Sequence, residues 1–379
     1  MAQAKRYIWQ RRTWPSLHYD EAVIGHELAQ ARRQQGHLLG QARAIALTEL
    51  GQFVKDIWVD DALATAAIEG EQLDLSAVRS SVMRRLGLMT SGSSNRHVDG
   101  LVDVMQDATT GFEAPLDADR LCRWQSALFP GGTSGVRRIE VGTFRTDPEP
   151  MQIVGGPIGK EIVYYIAPPS SRVPMEMKRF LTWFEKTRRP SNAVDGIVRA
   201  AIAHLWFETV HPFEDGNGRV GRAIVDLALA QDSDGAARVY SLSRQFMHER
   251  KAYYEALGSA QQGDTDVTAW VLWFLRQFIQ SCRQSEMVIG SAIAKSKFWS
   301  SRAHRPLSDR QRKVVQRLLD AGPNGFTGGL SAEKYGNLTR VSKATATRDL
   351  VDLLQNEWVF TTGEHKSTRY WVNVPGWRP

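Results

Sequence analysis

The chain has 379 residues, of which 42% are hydrophobic, and its formal net charge is +7. This length allows two or three domains with substantial cores. No apolar run reaches about 18 residues, so we expect no membrane-spanning helix, and the basic start lacks the apolar stretch of a secretory signal. Cys122 and Cys282 lie outside any CxxC pattern, and the histidines show no zinc-ligand spacing. We therefore expect a cytoplasmic protein with two buried thiols and no structural zinc.

The positive charge is concentrated at the C-terminal end. Residues 301–379 hold 13 Lys/Arg and 7 Asp/Glu, a net charge of +6. Such an excess favours an anionic partner for this stretch, and a solvated basic surface is the simpler alternative.

Most of the chain shows the periodicity of amphipathic or buried helices. The predicted helices cover residues 21–51, 62–68, 74–88, 97–112, 117–129, 173–186, 192–210, 220–230, 246–259 and 267–299. Residues 153–166 differ, because two short apolar runs flank a Gly/Pro turn, which predicts a β-hairpin. Such a hairpin is either decorative or an edge that accepts a peptide by strand addition.

Glu69 is an acidic residue directly after the stretch 62–68, which strongly favours a helix. Thr65 lies four residues earlier, so both side chains share one helix face, and Gly70 is suited to end the helix. Glu69 follows three apolar residues. Its carboxylate is either solvated or paired with a cation, and the spacing alone favours solvation.

The C-terminal stretch has its own pattern. Residues 307–319, 331–335 and 342–355 predict three helices, and residues 358–372 alternate around a glycine as a two-stranded wing does. This order is typical of a winged helix-turn-helix, whose third helix would place Lys343 and Arg348 near a duplex. Winged helices also dock proteins, so both kinds of partner stay open.

The polar loop 211–222, HPFEDGNGRVGR, joins two segments that are apolar on nearly every face. Its amides precede a helix, so they form an anion site with the helix dipole. Gly216 and Gly218 permit positive φ and close approach of a ligand to the backbone. Arg219 and Arg222 supply bidentate donors suited to phosphate.

Two further loop residues suit catalysis. Asp215 offers a hard carboxylate oxygen, the kind of ligand that binds Mg²⁺ together with phosphate oxygens. His211, neutral at pH 7, is suited to accept a proton from a hydroxyl group. Capping or a salt bridge explains any one of these residues, whereas the whole set favours a phosphate site with a base. The loop is not a P-loop, because GxxxxGK[ST] does not occur.

The loop resembles the signature HPFx[DE]GNGRxxR of Fic-domain proteins and matches it at every defined position. The family's usual reaction transfers AMP from ATP to a Ser, Thr or Tyr hydroxyl of a protein. The resemblance implies His211 as the general base and Asp215 as the Mg²⁺ ligand. It implies that the following residues bind or border the nucleotide: Glu69, Val154, Gly155, Gly156, Asp215, Gly216, Asn217, Gly218, Arg219, Val220, Gly221, Arg222, Tyr253, Tyr254 and Gln261.

The resemblance extends beyond the loop. The hairpin 153–166 resembles the flap on which the family aligns its target protein. Tyr253 and Tyr254 resemble the tyrosines on the nucleoside side of the family's site, and ordinary helix packing is the alternative explanation for both. The stretch Thr65-Ala66-Ala67-Ile68-Glu69-Gly70 resembles the inhibitory motif [ST]xxxE[GN]. In that interpretation Glu69 pairs with Arg222 and denies this arginine to the γ-phosphate.

Together these features predict a mainly α protein. We expect a helical accessory domain with an inhibitory helix over residues 1–93, a Fic-type helical core with a hairpin flap over 94–299, and a winged helix-turn-helix over 303–379. Two alternatives stay open: removal of AMP from a modified protein with the help of Glu69, and a DNA-binding regulator with a residual nucleotide site. The target and the oligomeric state are open as well, with a homodimer common among relatives.

Overall fold

A computed structural model describes residues 7–43, 47–90, 94–155, 162–188, 194–235, 239–322, 326 and 328–377. The chain divides into two compact units, Met1–Ser285 and Glu286–Pro379. The described residues are mainly helical, with three two-stranded antiparallel sheets, which confirms the predicted fold class. None of the described helices combines the length and the apolar character that a membrane span requires.

The first unit begins with a mostly helical block. Its helices are α1 (Glu21–Arg43), α2 (Leu47–Ile68), α3 (Leu75–Arg85), α4 (Arg96–Thr110) and α5 (Ala118–Leu128). Side chains that accept backbone N–H groups cap four of these helices, namely Asp20 for α1, Asp74 for α3, Asn95 for α4 and Asp117 for α5. Each cap satisfies amides that a helix start leaves without a partner, so local sequence sets where these helices begin.

The predicted hairpin is present as β3 (Gln152–Gly155) and β4 (Ile162–Ile166), after a shorter pair, β1 (Thr133–Ser134) and β2 (Arg137–Arg138). Strands β3 and β4 pair from Gln152↔Ile166 to Gly155↔Ile162. Gly156 and the rest of the turn lie outside the described residues. Tyr165 anchors β4, because its side chain is buried and its hydroxyl donates to the carbonyl of Thr209 at 2.7 Å.

Helices α7 (Gly196–Val210) and α8 (Asn217–Asp232) form the central pair of this unit, preceded by α6 (Val173–Thr187). Every residue of α7 is buried, as expected for a segment that is apolar on nearly all faces. Asp195 caps α7; residue 192, where the sequence predicted the start, lies outside the described residues. Arg32 of α1 bridges Asp195 and Asp232, so one arginine ties the start of α7 to the end of α8.

The single helix predicted over residues 246–259 is wrong. The structure has α9 (Leu242–His248) and α10 (Arg250–Gln262), separated at Glu249. The break lets Phe246 and Tyr253 stack with ring centroids 5.0 Å apart. An uninterrupted helix would separate positions seven residues apart by about 10 Å along its axis. Aromatic packing therefore overrides the continuous helical pattern.

Helix α11 (Thr268–Ser300) contains the division between the units. The second unit continues with α12 (Asp309–Asp320), α13 (Ala332–Thr339), α14 (Lys343–Gln355), β5 (Val359–Thr362) and β6 (Arg369–Val372). Leu330 adds an isolated bridge to Tyr370 of β6. The core of this unit includes Phe298, Val315, Leu319, Tyr335, Leu350 and Trp358.

Candidate functional site

The polar loop begins where α7 ends, at His211. This residue has φ 50° and ψ 60°, a left-handed conformation that turns the chain out of the helix. Arg145, 3% exposed, holds the turn from outside the loop. Its Nε donates to the carbonyl of His211 at 2.8 Å, and its backbone N–H donates to the carbonyl of Pro212 at 2.8 Å. Sequence reasoning assigned Arg145 no role, because nothing local connects it to a loop 66 residues later.

Asn217 closes the loop from inside. Its side-chain oxygen accepts from the backbone N–H of Phe213 at 2.9 Å, and its side-chain nitrogen donates to the carbonyl of Phe213 at 2.8 Å. Phe213 is fully buried and packs against Phe144 and Phe207. The loop backbone is therefore held in one shape by buried hydrogen bonds and aromatic packing.

Each of the three loop glycines is required for a different structural reason. Gly216 has φ +86°, which side chains rarely adopt. A Cβ added at Gly218 would overlap the carboxylate of Glu69, and one added at Gly221 would overlap the carboxyl group of Glu208. Gly218 and Gly221 therefore make room for an acidic side chain that follows α2 and for one on α7.

Glu69 and Arg222 are paired. The carboxylate accepts from Nη2 of Arg222 at 2.7 Å, while Thr65 accepts from Nε through its hydroxyl at 2.7 Å and from Nη2 through its carbonyl at 2.9 Å. Burial opposes the charge of Arg222, yet Glu69 keeps the pKa of this guanidinium above its ordinary value. Gly70 ends the segment with φ +83°. The solvated Glu69 that spacing favoured is thus wrong, because the fold places a buried cation beside it.

Glu71 makes a second pair that sequence reasoning missed. Its carboxylate accepts from Arg219 at 3.2 Å and from the ring of His97 on α4. The hydrogen bond from His97 holds the pKa of Glu71 below its ordinary value. Arg219 also lies over the ring of Phe129 at 4.8 Å. Both loop arginines therefore face carboxylates of the short segment that follows α2.

Burial lowers the pKa of His211 to about 4, and the positive charge of Arg145 adds to the effect. The imidazole is therefore neutral at pH 7, as a proton acceptor must be. Its Nδ1 lies 3.7 Å from Oε2 of Glu208, one helical turn earlier on α7. Burial also raises the pKa of Glu208 to about 8, with a contribution from the charge of Glu69. Sequence reasoning did not single out Glu208.

Asp215 lies at the start of the loop's turn into α8, with a side chain that is 40% exposed. One carboxylate oxygen accepts from the hydroxyl of Ser134 and the other from the backbone N–H of Gly216. Arg219 lies 3.8 Å away. A partly exposed carboxylate next to a glycine-rich loop at a helix start is chemically suited to bind Mg²⁺ together with phosphate oxygens.

The remaining predicted site residues are spread around this loop. Tyr253 is buried, and its hydroxyl lies 2.8 Å from Nε2 of His204, so helix packing accounts for its position. The hydroxyl of Tyr254 donates to the carbonyl of Ile68 at 3.2 Å, directly before Glu69. Gln261 is buried and donates to the carbonyl of Glu208 at 3.1 Å. Val220 is buried in α8, while Val154 and Gly155 lie on β3.

Comparisons with known proteins identify two regions. Residues 115–229 match the Fic/DOC family, and residues 7–88 match a domain of unknown function (DUF4172). The chain is 27% identical over 220 residues to protein adenylyltransferase fic-1 of Caenorhabditis elegans, which covers 57% of this chain and 39% of that protein. It is 31% identical over 96 residues to a probable protein adenylyltransferase of Aquifex aeolicus, covering 25% of this chain and 26% of that protein. The chain thus spans well under half the length of these curated relatives.

Solved structures show the same fold. A Fic family protein from Desulfovibrio desulfuricans G20 superimposes with a TM-score of 0.52 at 22% identity, covering 94% of this chain and 97% of that one. A Fic domain containing signaling protein from Bacteroides thetaiotaomicron superimposes with a TM-score of 0.51 at 17% identity, covering 71% of this chain and 97% of that one. Loop, fold and relatives agree: this chain carries a Fic-type helical fold with a domain of the Fic/DOC family.

Proposed function

We propose that the protein transfers AMP from ATP to a hydroxyl side chain of a target protein, and to itself, under restraint by Glu69. The observation that carries this proposal is the 2.7 Å pair between Glu69 and Arg222. Arg222 belongs to a loop whose amides, glycines and second arginine suit phosphate groups. A carboxylate that occupies this arginine competes with the phosphate the arginine would bind.

In the proposed reaction the target hydroxyl attacks the α-phosphorus of ATP. The bond from this phosphorus to the bridging oxygen of the β-phosphate breaks, and pyrophosphate leaves. His211 accepts the hydroxyl proton, which its neutral state allows. The loop amides and Arg219 hold the phosphates in line with the hydroxyl and stabilise the developing charge. The target segment pairs with the hairpin β3–β4 along β3, because on β4 the carbonyls of Tyr164 and Ile166 already accept hydrogen bonds from Gln262 and Trp9.

Mg²⁺ fits the donor set as a second component of the proposed site. Asp215 would hold the ion together with phosphate oxygens of ATP, and Ser134 orients this carboxylate. Bound there, Mg²⁺ would neutralise phosphate charge.

The restraint is proposed to act on the γ-phosphate. With Glu69 in place, Nε and Nη2 of Arg222 are engaged by Thr65 and Glu69, so ATP would bind in a pose that does not present its α-phosphorus correctly. Replacing Glu69 by Gly should raise the transfer of label from α-labelled ATP by about ten- to a hundredfold, the range expected when a charged hydrogen bond is removed. Unchanged transfer with ATP still bound would refute the restraint.

The reverse activity is tested with the same variant. Protein that has labelled itself through Glu69→Gly is freed of nucleotide and incubated with Mg²⁺ and wild-type protein. Release of labelled AMP by the wild type, and not by Glu69→Gly, would assign Glu69 the role of orienting a hydrolytic water. A stable label would leave adenylyl transfer as the function.

We further propose that residues 303–379 form a winged helix that binds duplex DNA. The support is the order of α12, α13, α14 and the hairpin β5–β6, together with exposed Lys343, Thr347 and Arg348 on α14. Binding to a labelled duplex should weaken in Lys343→Ala/Arg348→Ala, with a shallower salt dependence. Equal binding by the variant and the wild type would remove α14 from this role.

A further inference from the structure

Glu208 is a buried acid that the proposed reaction does not yet use. It lies on the last turn of α7 and is 5% exposed. Its Oε1 has no hydrogen-bond partner among the described residues, and neither has Nδ1 of His211, which faces Oε2 at 3.7 Å. Buried polar atoms without partners are costly in a folded protein, so one such atom on each of two facing side chains suggests a role for the pair.

The surroundings hold this carboxyl group in place. Gly221 of α8 lacks the Cβ that would overlap Oε1. The backbone carbonyl of Glu208 also faces the ring of His211, but it already accepts a hydrogen bond from Gln261 at 3.1 Å. That carbonyl keeps a second lone pair, so it and the carboxylate both compete for Nδ1. A shift of less than about 1 Å would bring Nδ1 and Oε2, now 3.7 Å apart, within hydrogen-bond distance.

We propose that Glu208 is a positioning residue for His211: its ionised carboxylate accepts the Nδ1 proton, which leaves Nε2 free to take the proton of the attacking hydroxyl. The inference rests on the proposed adenylyl transfer. A neutral imidazole carries one proton, and the hydrogen bond at one nitrogen decides which nitrogen can act as the base. After the transfer, the imidazolium keeps both protons and faces the negative charge of Glu208.

The proposal also connects the base to the restraint. The charged and titratable groups around Glu208 are Glu69 directly after α2, His204 and His211 on and after α7, Arg222 on α8, and Tyr253 and Tyr254 on α10. Besides burial, the negative charge of Glu69 disfavours a second negative charge on Glu208, while Arg222 favours it. Departure of Glu69 would therefore free Arg222 and favour the ionised Glu208 that His211 requires.

The first test compares pH profiles of AMP transfer in the Glu69→Gly background. Adding Glu208→Gln should lower the maximal rate by about ten- to a hundredfold and abolish the rise in rate that accompanies ionisation of Glu208, with ATP affinity within about twofold. The matched control is Glu176→Gln, since Glu176 is another buried glutamate, paired with Arg172 and Trp14; it should keep the pH profile. A Glu208→Gln profile with the same rise and rate would overturn the proposal.

The second test does not depend on activity. Nitrogen NMR of the His211 ring, identified by its loss in His211→Gln, reports which nitrogen carries the proton. From about pH 6 to about pH 9, the proton should shift towards Nδ1 when Glu208 is present and not in Glu208→Gln. An identical ring state in both proteins would reject the positioning role. Absence of transfer in Glu69→Gly together with the predicted ring shift would instead reject adenylyl transfer alone.

Discussion

The loop 211–222 and the segment 69–71 meet face to face, and they are built differently. The loop offers two arginines whose side chains are 3% and 6% exposed, Arg222 and Arg219. The segment offers two carboxylates that are 33% and 30% exposed, Glu69 and Glu71. One partner of each pair is thus fixed in the protein interior, while the other reaches it from a partly solvated position.

The contrast shows which side can move. Buried hydrogen bonds from Arg145 and Asn217 hold the loop independently of the segment. Partly exposed ion pairs contribute little and are screened by salt, although burial of the arginine strengthens the Glu69 pair. Releasing the segment would therefore expose the proposed phosphate site without rebuilding the loop.

The largest effect is expected from the loop side. His211→Ala in the Glu69→Gly background should lower AMP transfer by about a thousandfold, within the range for loss of a general base. ATP binding, measured by calorimetry, should stay unchanged because the ring is not among the phosphate ligands. Transfer above about a tenth of the parent rate would remove His211 from the role of base.

The pH dependence of the free energy of unfolding tests the protonation state of the buried Glu208. The pKa of Glu208 rises from 4.5 to about 8 on folding, so its stabilising contribution is full below the unfolded value and is lost as pH rises towards 8. The depressed pKa values of His204 and His211 act in the opposite direction, but only below their unfolded value of 6.5. Between about pH 6.5 and pH 8, wild type should lose about 2 kcal/mol of unfolding free energy relative to Glu208→Gln.

Chemical denaturation at several pH values checks this sign. Parallel curves for wild type and Glu208→Gln across the same window would mean that Glu208 does not change protonation there. A steeper loss in Glu208→Gln would contradict the direction.

Thr65 tests the strength of the restraint. Thr65→Val keeps the shape of the side chain and removes the hydroxyl that accepts from Arg222 at 2.7 Å. Transfer should rise about tenfold, less than in Glu69→Gly, because Glu69 still holds the arginine. Combining both substitutions should add little, since they act on one arginine; a fully additive rise would show that Thr65 acts elsewhere.

The smallest effect is expected at Glu71. Glu71→Gln weakens a pair with Arg219 that is partly exposed, so transfer should rise by at most about fivefold. The rise should shrink in high salt, where the wild-type pair is already screened. His97→Gln is a matched variant, because it removes the ring that holds Glu71 without touching Arg219. A drop in transfer in both variants would show that Glu71 orients Arg219 for ATP.

Local features were predictable because they depend on neighbouring residues. Gly216 and Gly70 adopt the positive φ that glycine favours, and Gly70 ends α2 as predicted. Arg145, Glu71 and Glu208 could not be found in the same way. Periodicity indicates which face of a helix is buried, but it does not indicate which distant residue contacts that face.

Tyr253 and Tyr254 show that tertiary packing decides which of two neighbouring tyrosines is buried. Tyr253 and Tyr254 stand side by side in one helical stretch, yet Tyr253 is 2% exposed and Tyr254 is 41% exposed. Neighbouring residues of α10 point about 100° apart, so one ring can be buried while the next is exposed. The break at Glu249 decides that Tyr253 is the ring that stacks on Phe246. Nothing in the spacing of the stretch signals that break.

The sequence by itself determined most of the helices, the hairpin and the residue types of the loop, since each follows from short-range pattern and composition. Spacing alone did not decide the state of Glu69: the resemblance implied a pair with Arg222, and the tertiary structure brings the two side chains together. Glu69 and Arg222 are 153 positions apart in the chain, and the charge beside a carboxylate determines whether it is solvated or paired. The fold brings the buried guanidinium of Arg222 to that position, so the carboxylate of Glu69 takes the arginine that we propose for phosphate.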